Sequence, residues 1–134
     1  MTYVAEHNEG LLMDRLGSLN EPCELVVSPG AEALSSPAML DLVDYLVSLA
    51  PNRLSRRLQI AEESRSGPTL HIVSRAHPSF GTEFWGVPSG HEFLNVIDSL
   101  ELATGRIPSL DPVTTALLGQ MTSAVTLKVF VTPT

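Results

Sequence analysis

The stretch FWGVPSGHEF, residues 84–93, leads from a strand into a helix within ten residues. Residues 82–87, TEFWGV, are rich in aromatic and β-branched side chains, which favour a strand. A proline and two glycines then mark a turn. Ser89 and Glu92 have the spacing of a capping box, in which each side chain satisfies a backbone N–H of the first helical turn. The pattern therefore predicts a helix starting at about residue 90.

The predicted helix presents one apolar stripe and has a clear end. Gly105 is placed as a helix stop. Upstream, residues 68–74, PTLHIVS, predict another strand, and its short connection to residues 82–87 favours an antiparallel hairpin. The stripe consists of Phe93, Val96, Ile97 and Leu100.

The first half of the chain predicts a helix, a strand and a second helix. Residues 5–19 form an amphipathic pattern, and residues 23–28, CELVVS, predict a short strand closed by Pro-Gly. Ser36 as N-cap and Pro37 at the first helical position start the second helix. The first helix is expected to bury Leu11, Leu12, Leu16 and Leu19, and the second to bury Met39, Leu40, Val43, Leu46, Val47 and Ala50.

Two further segments complete the predicted elements. Residues 56–63, RRLQIAEE, alternate weakly around Leu58 and Ile60 and predict a strand parallel to the first, across the helical crossover. A helix is expected from Asp111-Pro112 to about Met121, and a last strand over residues 125–131. The order is typical of a thioredoxin-like α/β fold: a mixed four-stranded sheet flanked by helices, with an additional C-terminal helix and strand.

Composition limits the class of function. The chain has 134 residues, 43% of them hydrophobic, and a net charge of −7 from 8 basic and 15 acidic residues. This charge opposes binding to nucleic acid and to anionic membranes. The single cysteine cannot form an internal disulfide, and the first residues lack the basic start and unbroken apolar run expected of a signal peptide. The apolar stretches are far shorter than the roughly 20 residues that a membrane helix needs. We therefore expect a cytoplasmic protein with no nucleic-acid or membrane partner.

Residues 84–93 and the amphipathic helix after them resemble the first thioredoxin-like unit of two related families. One is the flavoprotein subunit of alkyl hydroperoxide reductase, and the other is the glutaredoxin-like protein disulfide oxidoreductases, which act in thiol–disulfide electron transfer. Both carry a G-x-P-x-G-H-E-F stretch. It is matched here by Gly86, Pro88, Gly90, His91, Glu92 and Phe93.

The resemblance implies a domain organisation. Residues 1–106 correspond to a first thioredoxin-like unit, and residues 107–134 to a connecting helix and the first strand of a truncated second unit. VFVTPT, residues 129–134, looks like the strand that precedes the Cys-Pro-x-Cys of that second unit. The expected partner is the second unit or a thiol partner protein. Residues 125–134 are expected to add to a sheet edge, to pair with another copy in a homodimer, or to be poorly ordered, since an unpaired strand edge is a liability.

The resemblance also implies that this chain is redox-silent. Residues 29–38, PGAEALSSPA, correspond to the active-site loop of a thioredoxin-like unit but contain no cysteine, and Ser35 and Ser36 stand near the expected pair. The flavoprotein subunit has a redox-silent first unit of this kind. We therefore expect no catalysis by this chain itself, no catalytic residue, no metal and no cofactor.

A peptide-binding groove is the best functional site that the resemblance offers. It implies a cis bond between Gly67 and Pro68, although cis is the minority state of X–Pro bonds. The same segment has a purely structural interpretation, in which the proline fixes a turn, and both remain open. The candidate groove residues are Gly67, Pro68, Thr69, Ser35 and Ser36.

Cys23 and Trp85 each allow two interpretations. Cys23 lies at a strand start, where nothing lowers its pKa, so packing is favoured over redox chemistry. Trp85 is expected to be half-buried in its strand, with a contact surface as the alternative.

Two catalytic or metal-binding patterns are disfavoured. His71, His77 and His91 lack the spacing of a zinc site. Ser89 beside His91 lacks the strand–turn–helix geometry of a hydrolase nucleophile.

Three functions follow from these alternatives. The preferred one is a non-catalytic thioredoxin-like unit of a disulfide oxidoreductase system. The second is a free-standing protein- or peptide-binding module. The third, a redox enzyme that uses Cys23 in an intermolecular disulfide, is the least favoured.

Overall fold

The computed structural model describes residues 8–30, 36–60, 67–76 and 81–131. Four strands, four α-helices and one 3₁₀ turn occur in these ranges. In chain order they are α1 (Glu9–Gly17), β1 (Cys23–Ser28), α2 (Ser36–Leu49), β2 (Leu54–Leu58), β3 (Thr69–Ser74), β4 (Thr82–Trp85), the 3₁₀ turn (Gly90–Glu92), α3 (Phe93–Ala103) and α4 (Pro112–Gly119).

The strands form one mixed sheet in the order β2-β1-β3-β4. β1 runs parallel to β2 across α2, and the β1–β3 and β3–β4 pairs are antiparallel. The predicted thioredoxin-like α/β fold is thereby confirmed, with a parallel βαβ half and an antiparallel ββα half.

One face of the sheet forms the hydrophobic core with α1, α2 and α3. Leu25 lies opposite Ile72 and Val27 opposite Leu70, and these four side chains are fully buried. Burying each of them contributes about 1.5–3 kcal/mol. The predicted stripe of α3 is confirmed, because Phe93, Val96, Ile97 and Leu100 all join this cluster.

One expectation about burial and one about the limits of a strand are wrong. Leu11 is 58% exposed, whereas Leu12, Leu16 and Leu19 are buried, because the helical rotation of about 100° per residue carries Leu11 off the stripe that the other three share. The second strand spans Leu54–Leu58, so it starts two residues before the predicted range 56–63 and does not include Ile60, which is 90% exposed. Residues 61–63 of that range lie outside the described residues. Pairing of Leu54 with Cys23 sets the start of this strand, earlier than the alternation indicated.

The predicted capping box is also wrong. Ser89 makes no side-chain cap, and the helix starts through a 3₁₀ turn in which the Phe93 N–H donates to the Gly90 carbonyl. A Ser89 cap would have accepted from the Glu92 N–H, whereas the 3₁₀ bond pairs the Phe93 N–H, so the helix starts without that cap. The helix stop is confirmed: Gly105 has a φ of +103°, and the Arg106 N–H donates to the Glu101 carbonyl at 2.9 Å.

The C-terminal part of the described chain differs from the expectation at its end. The helix is confirmed, and Asp111 caps it by accepting a hydrogen bond from the Thr114 N–H at 3.0 Å. Residues 125–131 form no strand, so that prediction is wrong for the described residues. An apolar alternation becomes a strand only when another strand supplies hydrogen bonds, and no described strand lies beside this segment.

Candidate functional site

Gly67, Pro68 and Thr69 lead into β3, an inner strand of the sheet. Thr69 lies opposite Ser28 on one side and Trp85 on the other. Pro68 and Thr69 are buried, and the Pro68 carbonyl accepts a hydrogen bond from the Gly86 N–H at 2.8 Å. This backbone acceptor is therefore already paired within the chain.

The expected cis bond between Gly67 and Pro68 is not found. No cis peptide bond occurs among the described residues. The trans form is the intrinsically preferred state of an X–Pro bond, by about 0.5–1 kcal/mol. The cis-proline feature implied by the resemblance is thus wrong for this structure.

The end of β1 and the entry to β3 meet at two glycines. A Cβ placed on Gly30 would lie 2.3 Å from the carbonyl carbon of Gly67, a distance that no side chain tolerates. Gly30, two residues after the end of β1, therefore lies against the backbone of Gly67. Of the other candidate groove residues, Ser36 is the first residue of α2, and Ser35 lies outside the described residues.

Cys23 has the surroundings of a packed, unreactive thiol. Its side chain is 2% exposed, and Sγ donates to the Val73 carbonyl oxygen at 3.1 Å. Burial raises the pKa of Cys23 to about 11. A thiolate is therefore scarce near neutral pH, and the burial expected of a structural cysteine is confirmed.

The histidines are spread over separate places in the described chain. His71 is half-buried in β3, opposite Val26 and Glu83, and His91 is exposed in the 3₁₀ turn. His77 lies outside the described residues. Among the residues that are described, no three His, Cys, Asp or Glu side chains are grouped as metal ligands would be.

The residues of the G-x-P-x-G-H-E-F stretch build the connection from β4 to α3. Gly86 and Gly90 have φ values of +93° and +64°, which favour glycine. Pro88 and Phe93 are buried, and Glu92 is half-buried. These residues fix the chain reversal and the packing of α3.

Trp85 lies on β4 with 67% of its surface exposed, and its indole N–H donates to Glu83 at 3.0 Å. The expected half-burial is therefore wrong, and the alternative, a role of Trp85 in a contact surface, stays a prediction. The outer position of β4 in the described sheet explains this exposure.

An ion-pair cluster joins α1 and α3, and the sequence patterns described above do not predict it. The Arg15 guanidinium contacts Asp98 and Glu101, each at 2.7 Å, and Arg106 also pairs with Glu101. The hydrogen bond from Arg15 lowers the pKa of Glu101. The i, i+3 spacing of the two carboxylates on α3 was the available signal, but it does not identify a partner 83 and 86 residues away. A shallow depression of about 410 Å³ adjoins this cluster.

Residues 107–131, called the terminal segment below, carry a large exposed apolar surface. α4 buries none of its side chains, and the segment contains only two charged residues, Asp111 and Lys128. Exposed apolar surface rimmed by few charges is typical of sites that contact another protein. Its large exposed apolar side chains are Ile107, Leu110, Val113, Leu117, Leu118, Met121, Val125, Leu127, Val129, Phe130 and Val131.

The strand order and the helix positions define a thioredoxin-like α/β unit. Two solved structures from Enterococcus faecalis share this fold. One is a mutant of the alkylhydroperoxide reductase protein AhpF, with a TM-score of 0.66 and 15% identity over 81% of this chain and 56% of that chain. The other is the N/C domain of the N-terminal part of the same protein, with a TM-score of 0.65 and the same identity and coverage. At this identity the similarity establishes the fold alone.

Sequence similarity connects the chain to parts of longer proteins. Two curated proteins, each called NADH dehydrogenase, come from Bacillus subtilis and Ferdinandcohnia aciditolerans. Each is 32% identical over 87 residues, or 65% of this chain. The chain spans 16% of the length of either protein. No protein-family profile matches it.

Within the described residues, no helix is long and apolar enough to cross a membrane.

Proposed function

We propose that this chain is a redox-silent thioredoxin-like unit of a thiol–disulfide electron-transfer system of the peroxide-reductase type. The observation that carries the proposal is the combination of this fold with one cysteine, Cys23, buried in β1. A unit with this fold and no reactive thiol contributes surfaces and support.

Thiol–disulfide exchange requires a thiolate with a lowered pKa and a resolving cysteine close by. In thioredoxin-like proteins the N-terminus of the helix after β1 supplies this environment. Here α2 starts at Ser36, and residues 29–38 contain no cysteine. The pKa of Cys23 is shifted in the opposite direction. The chain therefore lacks both groups that the chemistry needs.

The role that we assign to the chain is to support and orient a second thioredoxin-like unit. In this proposal residues 1–106 are the first unit, and residues 107–134 are the connecting helix and the first strand of the next. The apolar terminal segment supports this assignment, because its surface suits a contact with another folded body. The unit would act in the cytoplasm, through a second unit or a thiol partner protein.

The similarity to NADH dehydrogenases fits an auxiliary part of a larger enzyme. The matched 87 residues are a small share of those proteins. We infer that oxidation of NADH, and any flavin that it needs, would belong to the remainder of such a parent protein.

The alternative function is a free-standing module that binds peptides near Gly67, Pro68 and Thr69. The structure disfavours strand addition there, since β3 is paired on both sides and the Pro68 carbonyl is held by Gly86.

Reading the coding sequence beyond codon 134 separates the two functions. The proposed function expects a continuation into Cys-Pro-x-Cys, whereas a stop codon would contradict it and support the module. The extended protein is then assayed for disulfide reductase activity with Cys23→Ser. Full activity of this variant is expected, and its loss would contradict a silent first unit.

A further inference from the structure

β2 is an outer strand of the described sheet, and its outward backbone groups can be identified. The Cys23 N–H donates to the Arg53 carbonyl at 2.8 Å, and the Gln59 N–H donates to the Val27 carbonyl at 2.9 Å. In a parallel pair, alternate residues of a strand bond to the same neighbour. The N–H and C=O groups of Arg56 and Leu58 therefore point away from β1. No described residue bonds to them there.

The side chains at this edge do little to deter another strand. Proteins usually protect edges with uncompensated charges, prolines or bulges. Here Arg56 pairs with Asp44 at 3.1 Å, and Arg57 pairs with Glu24 at 2.8 Å. Leu58 is 54% exposed, and Ile60, two residues further on, is 90% exposed. The edge thus combines outward backbone groups with an exposed apolar pair.

Residues 125–131, VTLKVFV, have the complementary pattern. The odd-numbered positions are all aliphatic, and Thr126, Lys128 and Phe130 lie between them. Both Val129 and Phe130 are more than 80% exposed. Alternation of this kind suits a strand that buries one face. The segment forms neither helix nor strand in the described chain. The segment therefore has residues that favour a strand, but it has no neighbouring strand in the described chain with which to form hydrogen bonds.

We propose that two copies of this chain exchange these segments. Residues 125–131 of one copy pair antiparallel with the β2 edge of the other, with Val129 opposite Leu58 and Leu127 opposite Ile60. These pairs use the outward backbone groups and cover the exposed apolar side chains.

The same register also gives favourable side-chain pairs on the opposite face of the paired strands. It places Phe130 opposite Arg57, where the ring can lie against the guanidinium, and Lys128 opposite Gln59. A shift by two residues would place Lys128 opposite Arg57, two like charges. A shift by one would turn the apolar side chains to the other face of the sheet.

We assign a second copy of this chain to the β2 edge because each copy offers both halves of the contact, so a two-fold dimer is self-complementary. Each copy supplies one β2 edge and one segment, so a two-fold dimer pairs both and leaves none over. The contact is close to neutral, which limits the repulsion between two chains of charge −7. The inference concerns the 134-residue chain by itself and does not require the redox-silent function. In a parent protein of the kind proposed above, the same segment would pair within the second unit instead.

Disulfide trapping tests the register directly. Gln59→Cys and Lys128→Cys are combined in the full chain, at a pair whose Cα atoms would lie about 4.5 Å apart, within disulfide range. Mild oxidation is expected to give a covalent dimer that a reductant dissolves. The matched control combines Gln59→Cys with Phe130→Cys, which the register does not place opposite each other, and is expected to cross-link at least about tenfold more slowly. A disulfide within one chain, equal rates in both variants, or no disulfide would overturn the proposal.

Charge exchange provides a second test by sedimentation velocity. Leu58→Glu alone and Val129→Lys alone are each expected to weaken dimerisation at least about tenfold, and the double variant to restore it. Leu11→Glu, at a similarly exposed leucine of α1, is the control and leaves the dimer unchanged. A wild-type chain that stays monomeric at all concentrations, or a dimer that Leu58→Glu leaves intact, would overturn the proposal.

Discussion

The Cys23 thiol donates a hydrogen bond to the Val73 carbonyl oxygen, with 3.1 Å between Sγ and O. The bond spans β1 and β3 at the edge of the core, on strands that pair Cys23 with Ser74. A thiol held in this way is protonated, hidden from solvent and remote from a helix N-terminus. This relationship supports the proposal that the chain performs no thiol–disulfide exchange.

The buried thiol predicts a fall in stability at alkaline pH. The pKa of Cys23 is raised by burial to about 11, above its value in an unfolded chain. Folding therefore favours the protonated thiol, and this contribution is lost as pH rises through the folded pKa. We expect about 2 kcal/mol of the free energy of unfolding to be lost between about pH 9 and pH 11. Urea titrations at several pH values measure it. Cys23→Ala should flatten this part of the curve, and an unchanged slope would contradict the assignment.

The Arg15 cluster predicts sensitivity to acid and to substitution. Arg15→Gln should lower the free energy of unfolding by about 1–2 kcal/mol, because Glu101 loses a partly buried, charge-assisted partner. Arg53→Gln is the control, since the described residues give Arg53 no ion pair, and it should change stability by less than about 0.5 kcal/mol. Equal effects of the two substitutions would exclude a specific role for the cluster.

The same cluster has a defined pH dependence. Because the pKa of Glu101 is lowered in the folded chain, its contribution is present above about pH 4.3 and is lost as pH falls through the folded pKa. Glu101→Gln should reduce the loss of stability on acidification, as followed by thermal unfolding. If the stability of Glu101→Gln falls as steeply at acid pH as that of the wild type, the role of Glu101 is contradicted.

The contact between Gly30 and Gly67 predicts that alanine at position 30 lowers the stability of the chain more than alanine at position 67. Gly30→Ala should lower stability by about 1–3 kcal/mol, because its Cβ would overlap the backbone of Gly67. Gly67→Ala is the matched control, since no described atom lies within 4 Å of its Cβ position. Thermal unfolding compares the two variants. Equal stabilities would show that β1 and β3 do not approach each other closely at this point.

Asp111 predicts local melting of α4 without loss of the core. Asp111→Ala removes the cap on the Thr114 N–H, so residues 112–119 should lose helicity while the midpoint of global unfolding stays constant. Backbone chemical shifts report this. Hydrogen bonds from Thr114 lower the pKa of Asp111, so α4 should also fray as pH falls through this pKa. Asp111→Asn should retain the cap and abolish the pH dependence, and fraying at the same pH would refute the role of the carboxylate.

The sequence was most informative where a pattern is long or buried. Residues 23–28 and 68–74 were predicted as strands because β-branched residues that lie inside a sheet form nearly continuous apolar runs. α3 was predicted because its apolar stripe persists over three turns. The parallel and antiparallel arrangement followed from the lengths of the connections.

Other features depend on partners that a linear pattern does not reveal. The limits of β2 follow from the pairing of Leu54 with Cys23, and the start of α3 follows from a 3₁₀ turn that replaces the Ser89 cap. The Arg15–Glu101 contact joins residues far apart in the chain. Residues 125–131 have the alternation of a strand, but pairing decides whether the strand forms.

The central claim is that this chain has no thiol–disulfide activity of its own. Its most direct test is the rate of insulin reduction by dithiothreitol, with the purified chain added at catalytic concentration. We predict the rate of the reaction without protein, both for the wild type and for Cys23→Ser. Turnover above this background that survives Cys23→Ser would contradict the account, since no other cysteine is present. Turnover that Cys23→Ser abolishes would contradict it as well, because Cys23 would then be a working redox thiol.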